Sequence, residues 1–410
     1  MVRMPMPDSP KRVQEQTKEQ IKEQIKETAS RKTVPNDSLR DDLDSRFMRD
    51  ALALGWRQQG RTSPNPAVGC IIAREIGGRP VVVGRGSTQD GGRPHGEPIA
   101  LAMAGEAARG ATLYVTLEPC SHHGRAGPCS DAIIAAGIGR VVSAIEDPDP
   151  RVKGQGHARM AAAGIAITLG VLAKEAARAH RGHFLRVQQG RPAVAIKLAR
   201  TRDGYAAASG DERLLITGES ANQRVHLLRA HSDAILVGVE TVLADDPQLT
   251  VRLPGMEALS PVRVVLDSAL RTPLGSVVVK TAAVTPTWIV TTEQASATAA
   301  QKLEEAGAIV LRVAADAHGR VDLHETLRLL AACGVAKLLC EGGPTLAEAL
   351  VAAELADELV LLTGPSALGR AGQPALGPQL AQLAGGRADF HLLESGFHGA
   401  DEFAVYERLL

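Results

Sequence analysis

Residues 111–145, ATLYVTLEPCSHHGRAGPCSDAIIAAGIGRVVSAI, hold a β-like apolar run (111–117), two cysteines nine positions apart, a helix-like run (130–136) and a second β-like run (140–145). A strand that empties into a cysteine-bearing loop, then a helix and a returning strand, is the local pattern of a layered α/β sheet. The pattern extends both ways. AVGCIIA (67–73) and VVVG (81–84) read as strands, and 97–109 and 154–163 read as helices. A helix over 44–59 opens the fold, because Phe47, Met48, Ala51, Leu52 and Leu54 recur at helical spacing before Gly60 and TSPNP.

A second α/β series starts at PAVAIKLA (192–199), after the polar stretch RGHFLRVQQGR, with strand candidates at 233–238, 262–267, 287–292, 308–313, 336–343 and 358–364. The expected organisation is a polar leader (1–42, disordered or a solvated helix), a first domain over 43–190 and a second over 191–410, without an internal repeat. Two domains also follow from 410 residues, which exceed what one core usually serves.

Composition narrows the function. Lys and Arg (46) balance Asp and Glu (46), and aromatics make up 2% of the chain, so neither the basic footprint nor the stacking residues of a nucleic-acid binder are present. Five scattered cysteines point to the reducing cytoplasm rather than to a disulfide framework. No apolar run approaches a membrane span, and the N-terminus lacks a signal-peptide core. A soluble cytoplasmic enzyme of small molecules is expected.

The chemical signal is His95-Gly96-Glu97, followed by Pro119-Cys120 and Cys129. One His and two Cys leave the fourth position of a zinc ion to water, and a Glu two residues after the His can shuttle protons without ligating. A water on zinc ionises near pH ~7, so a neighbouring carboxylate can take its proton and pass it to a departing amine. Pro98 fits only in the first turn of a helix, which puts the helix start near Gly96, His95 at its edge and Glu97 in that turn. Cys129 likewise opens a helical run, where amides favour a thiolate. The blander reading makes Cys120 and Cys129 inert buried thiols; Cys70, Cys333 and Cys340 read as small core residues. His122 and His123 read as a solvated turn.

SPNPAVGC (63–70), TLEPCSHHGRAGPC (116–129) and EDPDP (146–150) resemble the deaminase half of the bifunctional riboflavin-biosynthesis deaminase/reductase family, whose cysteine loop is longer than the PCxxC of many nucleoside deaminases. The resemblance implies a cytidine-deaminase-like layered domain with zinc on His95, Cys120 and Cys129, Glu97 as proton shuttle and Asn65 as a substrate contact. The chain departs from the family at HGEPIAL, where Pro98 and Ile99 stand in place of a Val and a polar residue. Ile99 can donate no hydrogen bond, so a pyrimidine contact is lost or rerouted.

In the second half no GxGxxG follows a strand. Glu341-Gly342-Gly343-Pro344-Thr345-Leu346 leads from a strand end into a helix, a turn that serves equally as a phosphate site or as a plain connection. KLARTRDG (197–204), ITGESANQRVHLLRA (216–230), AILVGVETVLADDPQLTVR (234–252) and EGGPTLAEALV (341–351) are similar to the family's reductase half, of dihydrofolate-reductase-like α/β fold and NADPH-dependent. The similarity implies Ala199, Leu215, Thr241, Asp245, Gly343, Pro344 and Thr345 on the cofactor side. On the substrate side it implies Arg213, Arg229, Leu249, Arg252 and Glu341. Arg229 and Arg252 would clamp a ribose 5′-phosphate, and Glu341 would accept from sugar hydroxyls. Arg213 and Leu215 replace a Ser and a Trp of the family; the Leu loses an aromatic contact.

The expected function is deamination of a diaminopyrimidinone ribosylamine 5′-phosphate, then NADPH-dependent reduction of its ribose, in a homo-oligomer, a dimer by the resemblance. Alternatives are a homologue with one activity, reductase only or a zinc deaminase of another aminated heterocycle, and an interaction protein with a structural zinc.

Overall fold

The structure, a computed structural model, describes residues 35–122, 127–208 and 214–409. It divides into two compact units. The first takes the chain to Gly55 with 68–87 and 94–178; the second takes 56–67, 88–93 and 179–410. Residues 1–34, most of the expected leader, lie outside the described residues.

The first unit runs α1 (Pro35–Trp56), β1 (Gly69–Ile76), β2 (Arg79–Ser87), α2 (Gly96–Ala104), β3 (Thr112–Val115), α3 (Cys129–Ala135), β4 (Arg140–Ser143), α4 (Gln155–Ala162), β5 (Ala166–Leu169) and α5 (Ala173–Ala179). Its sheet has the order β2-β1-β3-β4-β5, antiparallel about β1 and parallel from β3 onward. α1 starts at Pro35, earlier than the apolar spacing predicted. From Asp44 it packs on the sheet through Phe47, Met48 and Ala51.

Two glycines of β2 decide where α2 lies. A Cβ on Gly84 would stand 2.3 Å from the Ala100 carbonyl oxygen, and one on Gly86 would stand 2.2 Å from that of Gly96. Without those side chains the helix rests directly on the strand, and its first turn, with His95 and Glu97, is fixed to the sheet.

The second unit runs α6 (Arg181–Gln189), β6 (Ala193–Arg200), β7 (Tyr205–Ala208), α7 (Glu219–Ala230), β8 (Ala234–Gly238), α8 (Val239–Asp245), β9 (Val262–Leu266), α9 (Val277–Lys280), β10 (Thr287–Thr292), α10 (Ala297–Glu305) and β11 (Ile309–Val313). It continues with α11 (Leu323–Ala332), β12 (Lys337–Cys340), α12 (Gly343–Ala352), β13 (Glu358–Thr363), β14 (Gly372–Pro374), α13 (Pro378–Ala384), β15 (Phe390–His398) and β16 (Asp401–Arg408). The nine-stranded sheet has the order β11-β10-β9-β8-β12-β6-β13-β16-β15. It is parallel from β11 to β13, and β16 runs antiparallel to both of its neighbours. α6 belongs to this unit: buried Arg181 donates to the Asp357 carbonyl and pairs with Glu407. The expected boundary near 190 therefore falls after the unit's first helix. Cys70 and Cys340 are buried as expected, but Cys333 is exposed at the C-terminal end of α11. Among the described residues no helix is long and apolar enough to cross a membrane.

Asp44 is the polar anchor of the first unit. Its buried carboxylate accepts from Tyr114 (2.9 Å) and from two nitrogens of Arg140 on β4 (2.9 and 2.5 Å). Asp44→Ala leaves a largely buried guanidinium unpaired, a loss of about 3–5 kcal/mol. In calorimetry the first unit's transition should fall by roughly 10 °C while the second unit's stays in place; an unmoved transition would show that the pair contributes nothing.

Candidate active sites

The first site is built on the starts of two helices. His95 is the N-cap of α2 and Cys129 the first residue of α3, while Cys120 lies in the loop after β3. Cys129 Sγ is 3.3 Å and Cys120 Sγ 3.7 Å from His95 Nδ1, and the three donor atoms all lie within 4.8 Å of one another. The Cys129 amide donates to Cys120 Sγ (3.3 Å), so the start of α3 stabilises charge on Cys120 rather than on its own first residue. The hydrogen bond from the Cys129 thiol lowers Cys120 to about 4, and Cys129 is pushed up by the same bond and by burial. The pair thus favours ionisation of Cys120 over Cys129, and a bound cation would favour the thiolate of both.

Glu97 is 3% exposed, in the first turn of α2. Its Oε2 has no partner, and burial raises its pKa against the pull of His95. Two thiols, one imidazole and an adjacent carboxyl left out of the ligand set fit zinc with one open coordination position.

His95, Glu97, Cys120 and Cys129 are therefore brought together as the spacing predicted. Asn65 belongs to the segment 56–67 of the second unit, where its Nδ2 donates to the Gly92 carbonyl (2.8 Å). His122 is half-buried rather than a solvated turn, and His123 lies outside the described residues.

The second site stands at the carboxyl ends of β6, β12 and β8, adjacent parallel strands. Glu341 follows β12, and its amide donates to Leu236 O of β8 (2.9 Å). Buried Arg229 of α7 grips it with two nitrogens, at 2.8 and 3.0 Å, and donates a third hydrogen bond to the Thr250 carbonyl (2.9 Å). Burial opposes the charge of Glu341, but Arg229 and then Lys197 hold its pKa below the usual carboxylate range. Lys197 of β6 joins this group: burial lowers its pKa while Glu341 resists. His226, one turn before Arg229 on α7, accepts from the Arg252 amide (3.3 Å). Lys197 and His226 were not singled out in the sequence; the former sits inside the quoted KLARTRDG and the latter inside ITGESANQRVHLLRA.

Several expected contacts change character. Arg229 was expected to clamp a phosphate, yet three of its N–H groups are committed to Glu341 and Thr250. Leu249 has φ +56, and its buried side chain packs in the core cluster with Val237, Val242 and Val265. Arg252 is exposed. Leu215 is 85% exposed and lines a cleft of about 320 Å³ with Ile216, Thr217, Ser366, His398 and Asp401. Arg213 lies outside the described residues.

On the cofactor side, Gly343 (φ +75), Pro344 and Thr345 open α12 directly after the Glu341 turn. α12 thus starts at the carboxyl edge of the sheet, where Gly343 and Thr345, but not Pro344, carry amide N–H groups. Thr241 and exposed Asp245 lie on α8, which follows the adjacent strand β8, and half-buried Ala199 lies on β6.

Residues 41–145 match the family model described as the cytidine and deoxycytidylate deaminase zinc-binding region, and residues 192–395 match that of the RibD C-terminal domain. The riboflavin biosynthesis protein RibD of Escherichia coli is 40% identical over 338 residues, 80% of this chain and 89% of that protein. That of Aquifex aeolicus is 39% identical over 328 residues, 80% and 88% of the two chains. The solved structure of Acinetobacter baumannii RibD superposes with a TM-score of 0.78 at 32% identity, over 90% of this chain and 100% of that one. A Thermotoga maritima protein named as a diaminohydroxyphosphoribosylaminopyrimidine deaminase/5-amino-6-(5-phosphoribosylamino)uracil reductase gives 0.75 at 29%, with the same coverage. Both expected folds are borne out, as is the expectation of two activities in one chain. With a zinc-binding deaminase half and a reductase half in one polypeptide, the chain belongs to the RibD family of riboflavin-biosynthesis enzymes.

Proposed function

We propose that the first site deaminates 2,5-diamino-6-ribosylamino-4(3H)-pyrimidinone 5′-phosphate, and that the second reduces the ribosyl group of the product to ribityl with NADPH. The observation that carries this is the convergence of His95, Cys120 and Cys129 beside a buried carboxyl with one unpaired oxygen.

Zinc bound by those three residues supplies the Lewis acidity that makes water a nucleophile near neutral pH. Glu97 takes the proton the water loses at the unpaired Oε2 and hands it to the ring nitrogen and the departing amine. Burial of Glu97 favours its protonated form, which suits a group that must hold a proton between two transfers. His95 and the cysteines stay in place while water replaces the amino group and ammonia leaves.

At the second site the sugar must open before it is reduced. Opening yields an imine between the pyrimidine amine and C1′; hydride adds to C1′ and a proton to the nitrogen, giving the ribitylamino product. NADPH supplies the hydride when bound; the Gly343 and Thr345 amides would hold its phosphates, and Thr241, Asp245 and Ala199 would line the rest of it. Glu341, kept ionised by Arg229, accepts from a ribose hydroxyl, and Lys197 donates to the sugar oxygen as the ring opens. Arg229 thereby acts as a positioning residue. Arg252, exposed after β8, is the arginine placed against the 5′-phosphate in this reading. Pairing into a homodimer and a cytoplasmic setting belong to this reading on the strength of the family resemblance alone.

Glu97→Gln should lower the deaminase kcat by about 10²–10⁴-fold with zinc still stoichiometric by metal analysis and the reductase rate unchanged; an active E97Q enzyme refutes the shuttle. Glu341→Gln should lower reductase kcat/KM by roughly 10²-fold on the deaminated substrate, followed by NADPH oxidation, with ammonia release intact. Wild-type reduction by E341Q would remove Glu341 from the site.

A further inference from the structure

Glu118 stands two residues before Cys120 and has no part in the steps above. Its side chain is 0% exposed. Four backbone amides of one loop converge on its carboxylate: Gly154 at 2.9 Å, Gly156 at 3.0 Å, and Asp147 and His157 at 3.3 Å. The buried His157 ring, 3.6 Å from Oε1, is beyond hydrogen-bond reach. Both carboxyl oxygens are thus met by backbone N–H groups of residues 147–157, a stretch that ends in the first turn of α4.

The same loop grips the residues around Cys120. Glu118 N donates to Ile145 O (3.0 Å), and Ser121 Oγ reaches Arg151 O (3.4 Å). Between them, Gly156 lies so close that a Cβ there would stand 2.2 Å from Pro119 O. Glu118, Pro119 and Ser121 are therefore each seated on the 145–157 stretch, and Cys120 has little backbone freedom left. The ligand's partners, His95 and Cys129, are fixed separately, by α2 on β2 and by the start of α3. The start of α3 holds the Cys120 turn on one side, through Cys129 N to Cys120 Sγ (3.3 Å) and Ser130 N to Cys120 O (3.2 Å), and the stretch gathered by Glu118 holds it on the other.

We propose that Glu118 is a positioning residue of the metal centre: by drawing residues 147–157 against the Pro119–Cys120 turn, it keeps Cys120 Sγ within 4.8 Å of the His95 and Cys129 donor atoms, where the three would hold one ion. This rests on the zinc-deaminase reading above. Residues outside a ligand set that orient the ligands typically change metal affinity or activity by about 10- to 100-fold when altered.

The test uses the full-length zinc-loaded enzyme. Glu118→Gln keeps the shape but turns an N–H₂ toward amides that need an acceptor. Zinc release to a chelating dye should quicken by about 10- to 100-fold. In cobalt-substituted protein the thiolate-to-cobalt absorption should shift or weaken. Deaminase kcat should fall with KM for the pyrimidine held, while the reductase rate, read in the same preparation, stays at the wild-type value. Gly156→Ala, which pushes Pro119 from the other side, should move zinc release and the cobalt spectrum the same way. A wild-type release rate and cobalt spectrum in E118Q overturn the proposal even if the protein melts earlier, because the carboxylate would then only staple a loop. Loss of the reductase rate together with zinc overturns it too, as a global effect. Rapid zinc release in E118Q combined with full deamination by E97Q would retain this role and refute the deaminase mechanism instead.

Discussion

The contact of α2 with β2 is the constraint on which the first site depends. With hydrogen in place of a side chain at Gly84 and Gly86, the helix backbone lies against the strand backbone, and no rearrangement of side chains can slide it. That rigidity matters because the helix start carries a carboxyl that would otherwise not stay where it is. Burying Glu97 with one oxygen unpaired costs free energy that a flexible segment would recover by turning the group to water. The packed helix removes that escape, and the cost becomes a poised proton carrier.

The second site solves a related problem with charge instead of strain. Glu341 is also buried, but Arg229 grips both its oxygens, and Lys197 adds a second cation, so the carboxylate is ionised in place. The two acids therefore have opposite characters for a stated reason: at Glu97 burial outweighs the pull of His95 and favours the neutral form, whereas Arg229 and Lys197 outweigh burial at Glu341 and keep it charged. Proton transfer is asked of the first and hydrogen-bond acceptance of the second, which matches each environment to its chemistry.

The sequence made the metal triad legible because each ligand carried a local signal of its own: a proline that had to start a helix after His95, and a cysteine that opened a helical run. The parallel strands of the second unit, and β3 and β4 of the first, were legible as apolar runs, whereas the short β5 (Ala166–Leu169), whose residues are exposed or half-buried, was not. What stayed hidden depends on tertiary partners. Lys197 reads as one polar residue in a strand until β12 brings Glu341 beside it, and Glu118 reads as part of a motif until the loop 36 residues further on folds over it. The terminal hairpin β15–β16 escaped because its edge strand is largely exposed and lacks the alternation of a half-buried strand. The pairing of Arg229 with Glu341 was not legible either, because an arginine's type says nothing about which carboxylate reaches it first.

The two departures from the family fall where binding, not chemistry, is decided. Ile99 packs over β2, close enough that a Cβ on Gly86 would stand 2.9 Å from its own Cβ, so it serves the helix–strand contact while offering no donor to a pyrimidine. Leu215 stands 85% exposed at the cleft where the family has an aromatic ring, and an alkyl chain gives a flat ligand less area to stack on. Neither touches the groups that move protons or hold Glu341. Contacts of this kind act alike on the ground and transition states, so restoring a polar residue at 99 or an aromatic at 215 should lower KM for the pyrimidine or for NADPH and leave kcat nearly unchanged in steady-state assays of each half. A kcat that rose with the Ile99 replacement would instead mean that the lost donor had been aligning the ring with Glu97, and the division between binding and chemistry drawn at α2 would have to be given up.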